Sequence, residues 1–165
     1  MTVQTSMRNP VALIAIAVVV LALSASVYAL LAAPGQTEQQ HVPSRFAING
    51  RTFDITYAAT DQSELQAGLM NRKITDTTTM LFVFPEPGIY PFWMYDTNSS
   101  LDIIWLNVAG GTGSVVYLVA DAPSCYLAVG CPVYTPSAAA NYVIEAKAGF
   151  AGENGVIVGT VVQFS

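Results

Sequence analysis

The chain has 165 residues, with 6 Lys+Arg against 11 Asp+Glu and a formal net charge of −5. That length holds one domain and a little more. The acidic balance offers no face for neutralising phosphates, so no nucleic-acid partner is expected. With 53% hydrophobic and 10% charged residues, disorder is excluded for most of the chain.

Residues 11–33 read VALIAIAVVVLALSASVYALLAA, without one charge. As a helix this run spans about 35 Å, enough for a bilayer core of about 30 Å, and it exceeds the apolar core of a typical signal peptide. An uncleaved transmembrane anchor is therefore the first reading. Small residues near its end (Ser24, Ala25, Ser26, Ala29, Ala32, Ala33) leave a cleaved signal as the other. Arg8 precedes the run and no Lys or Arg follows until Arg45. The positive-inside rule thus puts residues 1–10 in the cytoplasm and the rest outside. Residues 34–44, PGQTEQQHVPS, read as a flexible spacer.

Residues 45–165 form the expected extracytoplasmic domain, with apolar alternation mostly at period two. FAINGRTFDITYA reads as a hairpin about Asn49-Gly50, a pair suited to a tight primed turn. Asp61 and Glu64 have capping-box spacing. They open a short helix over 62–70, with Leu65, Leu69 and Met70 inward and Gly68 at a point where a strand passes close. Further strands are expected at 80–84, 92–95, 101–108, 114–120, 141–146 and 160–164, with glycine-rich 109–113 as a hairpin loop. The fold class is mainly β with one short helix, a small β-barrel or sandwich, preceded by one transmembrane helix.

Cys125 and Cys131 lie in a loop-like segment with Pro123, Gly130, Pro132 and Pro136. A pair in an exported domain most often bridges. The competing readings are free thiols, or a metal or redox pair. Metal needs about four ligands, and the one His, His41, lies in the spacer.

GLMNR (68–72), MLFVFP (80–85), FWMYDT (92–97), LDIIWL (101–106), the Cys-Pro-Val-Tyr run, YVIEAKAG (142–149) and GVIVGT (155–160) follow one another in order. Together they resemble the prokaryotic family called domain of unknown function 192, over about residues 46–164. The resemblance implies a mainly β domain, often behind a signal or anchor, and no biochemical activity. Members commonly read FWMKNT where this chain has Tyr95 and Asp96. A ligand held by that Lys or Asn would here be held differently or not at all.

No His follows His41, which excludes nucleophilic triads in the domain, and Gly110-Gly111-Thr112-Gly113 lacks the Lys of a phosphate loop. Met70, Met80 and Met94 lie in apolar runs and read as core. No metal and no cofactor is expected. Carboxylates remain. Asp102 shares a strand face with Ile104 and Leu106, so it needs partners. One reading has Asp96, Thr97, Asn98 and Ser99 closing a polar turn with buried Asp102 pinning it. The other makes a shallow pocket of Trp93, Asp96, Thr97 and Asp102, with Trp93 and Tyr95 on one face for stacking. Glu145 alternates with Val143 and either joins the acids or faces water. Catalytic residues are unknown.

The leading functional expectation is a membrane-tethered binding or accessory module, for a carbohydrate, a peptide or a membrane-protein partner. The alternatives are a carboxylate-based hydrolase or lyase pairing Asp102 with Asp96 or Glu145, and a structural envelope component.

Overall fold

Alternating apolar residues, cut by turn residues at short intervals, give a domain made mostly of strands. The computed structural model describes residues 42–126 and 130–165. The apolar run at 11–33 and most of the spacer lie outside the described residues. Within them the order is β1 (Arg45–Ile48), β2 (Arg51–Asp54), β3 (Tyr57–Ala59), α1 (Gln62–Ala67), β4 (Thr79–Gly88), β5 (Phe92–Trp93), β6 (Leu101–Ala109), β7 (Thr112–Ala122), β8 (Val133–Tyr134), β9 (Ala140–Lys147), α2 (Phe150–Glu153) and β10 (Val161–Phe164).

Eight strands join one sheet in the order β2-β1-β10-β7-β6-β9-β4-β3, and β5 pairs with β8 apart from it. Neighbours are antiparallel except β3 with β4, which is parallel. β2 and β3 occupy opposite edges, yet only Ile55 and Thr56 separate them in the chain. The sheet must therefore curl until its edges nearly meet. Thr79 Oγ1 donates to the Asp54 carbonyl at 2.6 Å, and Thr56 N donates to the Thr79 carbonyl at 3.1 Å, across the seam. No ladder joins β2 to β3, so the result is an open half-barrel, neither a closed barrel nor a sandwich.

Both faces of this sheet are buried. Phe46, Ile48, Leu81, Ile104, Leu106, Ile144 and Val162 form one cluster with Phe150 of α2. Strands as distant in the order as β1 and β4 share it because the sheet wraps around it. Met80, Phe82, Ile103, Trp105 and Val143 point the other way, where Leu65, Leu69, Phe92 and Met94 cover them. This two-sided burial is why β6 is buried continuously from Leu101 to Leu106.

The Asn49-Gly50 turn is as expected, with φ of 49° and 78°. The 109–113 loop tightens to a second two-residue turn, Gly110-Gly111, between the paired Ala109 and Thr112. The hairpin expected to run on to Tyr57 stops at Asp54, because Tyr57 belongs to β3 on the far edge. α1 ends at Ala67 rather than residue 70, since Gly68 at φ 50°, ψ −135° takes a conformation open essentially to glycine alone. The second helix, α2, has only four residues, and its N-cap, Gly149, makes no side-chain cap, so no capping signal announced it.

Candidate functional site

Alternation decides what β5 shows. Phe92 and Met94 are buried, while Trp93 and Tyr95 are about half exposed and stack with ring centroids 5.2 Å apart. Beneath them the 95–97 turn closes on itself. Thr97 N donates to the Met94 carbonyl at 3.1 Å, its hydroxyl to the Tyr95 carbonyl at 3.3 Å, and Asn71 N to the Asp96 carbonyl at 2.9 Å. Asp96 adopts a φ of 49°. Ser124 Oγ donates to the Thr97 carbonyl at 2.8 Å. Tyr95 bridges to Cys125, which is disulfide-bonded to Cys131. The cysteines are therefore a bridge, as expected, and neither free thiols nor metal ligands.

Asp102 is 1% exposed, so its burial is as expected, but its partners are not. Its Oδ1 accepts from Asp121 N at 2.8 Å and its Oδ2 from Ala151 N at 2.7 Å; the 96–100 turn supplies neither donor. Two features explain this. Asp102 pairs with Ala146 on the face that looks toward α2. An irregularity in the β6–β7 ladder between Leu101 and Ile103 leaves Asp121, at φ 54°, with a free N–H. The carboxylate fills that bulge and caps the first turn of α2.

Glu145 pairs with Ile103 and Met80, which places it on the opposite face of the sheet from Asp102. It neither joins an acid group nor faces water. It is 4% exposed, its Oε2 has no hydrogen-bond partner, and burial pushes its pKa up to about 8. At neutral pH it is mostly a protonated acid, able to donate and accept.

Glu145 is among the residues that line a cavity of about 300 Å³, the lower end of the size range for ligand sites. Residues 65–70 at the end of α1 form one side, Phe82 and Phe84 of β4 another, and residues 90–93 with Thr97 a third. Gly68 lies against two of its walls: a Cβ there would stand in contact with both, 3.4 Å from the Phe82 ring and 3.7 Å from Glu145 Oε2.

Of the six candidates read from sequence, Trp93, Thr97 and Glu145 meet at this cavity. Tyr95 backs Trp93, Asp96 serves the turn, and Asp102 lies across the sheet. The Asp102–Glu145 pair of the hydrolase reading is thus not assembled, and Glu145 is the one carboxyl in the cavity lining. The end of α1 and the rings of Phe82, Phe84 and Tyr90 escaped the sequence reading. The signal available was one acid in an otherwise apolar strand, YVIEA.

The comparisons agree with the fold. Of solved structures, one from Sinorhizobium meliloti 1021, described as a proposed transcription regulator, superposes with a TM-score of 0.60 at 26% identity, covering 73% of this chain and 90% of that one. Another, a protein of unknown function from Novosphingobium aromaticivorans DSM 12444, has a TM-score of 0.60 at 23% identity, covering 74% and 84%. No curated protein matches the chain. The family model described as "Uncharacterized ACR" spans residues 44–164, from the residue before β1 to the end of β10. A match across the whole sheet, including every motif quoted above, makes the chain a member of the DUF192 family.

Proposed function

We propose that this domain is a binding module that takes a small ligand, or one side chain of a larger partner, into the cavity beside Glu145. The observation that carries this reading is the unpartnered carboxyl, buried in an apolar wall. A buried polar group without a hydrogen bond is costly to keep, so a fold that keeps one at the edge of an open cavity has a use for it. Trp93 in the lining, with Tyr95 stacked on it, adds a stacking surface for a carbohydrate or peptide. Chemical-shift mapping with benzyl alcohol as probe tests it. Shifts gathered on residues 65–70, 92–93 and 145 are expected, and shifts scattered over the surface would overturn it.

The module works outside the cytoplasm on a membrane tether. The uncharged 11–33 run, Arg8 ahead of it and the disulfide support this. The 11-residue spacer reaches at most about 40 Å, within range of lipids, envelope polymers and neighbouring membrane proteins. Protease applied outside intact cells with a permeable envelope should remove the domain and spare the amino terminus. Protection of the domain until lysis would reverse the orientation. A mature terminus near Ala33 would remove the tether and leave the orientation.

The Sinorhizobium meliloti relative does not bring nucleic-acid binding with it. Residues 45–165 carry five basic against ten acidic side chains, the wrong balance for phosphate.

A further inference from the structure

We infer that the ligand of this cavity is a small organic ammonium ion, its alkylated nitrogen held beside Glu145 and between aromatic rings. The inference rests on the binding-module reading above and narrows it to a ligand class.

Three observations converge. First, the cavity lining includes five aromatic residues, Phe82, Phe84, Tyr90, Phe92 and Trp93. Aromatic faces attract cations, and alkylated ammonium ions most readily because they shed water easily. Second, the single ionisable acid of the lining, Glu145, has no partner at Oε2. Third, no Lys or Arg lines the cavity, so no fixed positive charge there favours an anion. A hydrocarbon would leave the carboxyl unpaired. An ammonium ion supplies the charge that a buried carboxylate lacks.

The neighbouring charges are already engaged. The Arg72 guanidinium lies 4.3 Å from the centre of the Tyr57 ring, and its Nε donates to the Gly68 carbonyl at 3.1 Å. Lys147, two residues along β9, pairs with Asp76. Glu64 of α1 accepts from Thr60 N, and the Tyr90 hydroxyl donates to the Glu86 carbonyl. From β4 and β6 the facing residues are the uncharged Met80 and Ile103.

Choline and 3,3-dimethylbutan-1-ol are suitable probes, with one shape and differing in N⁺ against carbon. Titration followed by amide shifts of the intact domain should give choline at least tenfold tighter binding. Because an ammonium ion binds the ionised acid, whose pKa in the free protein is about 8, choline affinity should rise about fifty-fold from pH 6 to pH 8 and then level. Glu145→Gln, which matches the protonated acid in shape and lacks its ionisation, should melt at least as high as the wild type at pH 6. It should weaken choline at least tenfold at pH 8 and leave the alcohol unchanged. Equal binding of both probes, or choline binding that falls with pH, would overturn the ammonium inference and leave the cavity reading standing. Binding of neither would overturn both.

Discussion

Two buried acids one sheet-thickness apart do different work, and their partners decide which. Asp102 satisfies two backbone N–H groups with two oxygens. Asp102→Ala should therefore cost about 3 kcal/mol in denaturant unfolding, since each orphaned buried donor costs about 1 to 3 kcal/mol. Asp102→Asn should not restore the loss, because its NH₂ would meet a donor. Neither change should move probe binding at Glu145. The Glu145 effect has the opposite cause. Its folded pKa, about 8, lies above the ordinary value of 4.5, so between these pH values the folded state binds the extra proton. Stability must then fall as pH rises from about 4.5 to 8 and flatten above. Glu145→Gln should remove that slope, leaving the variant more stable at pH 8 by on the order of a few kcal/mol. A wild-type pH profile parallel to that of the variant would contradict the buried, neutral acid. The sequence separated the faces of LDIIWL correctly, because strand alternation is local. It did not separate Asp102 from Glu145, because that depends on the β6–β9 register between residues some forty positions apart.

Turn chemistry set the elements that were easiest to read. Asn49-Gly50 and Gly110-Gly111 each take two successive positive φ values, and the flanking strands pair directly across them. Beside the second turn, Gly113 is fixed for another reason. A Cβ there would lie 2.5 Å from Val108 Cγ2 and 2.9 Å from the Asn107 carbonyl. Gly113→Ala should thus destabilise by about 1 to 3 kcal/mol, measured by thermal unfolding, with the loss located in the β6–β7–β10 region by hydrogen exchange. The short pair β5–β8 depends on the Cys125–Cys131 bridge, which closes a ring of seven residues. Reduction should cost about 2 kcal/mol by loop closure and shift Trp93 emission to the red, while the eight-stranded sheet stays folded. An intact mass unchanged on reduction would mean the bridge was not there. α2 was illegible because a four-residue helix behind a glycine has no periodicity and no cap from its own N-cap residue; the cap comes from Asp102, which is distant in sequence.

At the scale of the molecule, sheet order departs from chain order at both ends. The amino-terminal hairpin β1–β2 joins the sheet only through β10, the last strand. The Ser165 carbonyl accepts from both Ser44 N and Arg45 N at 2.9 Å. No local pattern reveals this, so the strands were legible and the half-barrel was not. The seam also has a consequence for the timing of synthesis. The first strands made have no sheet to join until the last are made, with more than a hundred residues between. A chain ending at Gly159 should fail to melt cooperatively and should be cut quickly by protease at residues 45–60. On the exported topology proposed above, that dependence would act as a delay: the amino-terminal hairpin could not lock onto the sheet before the final strand had cleared the exit.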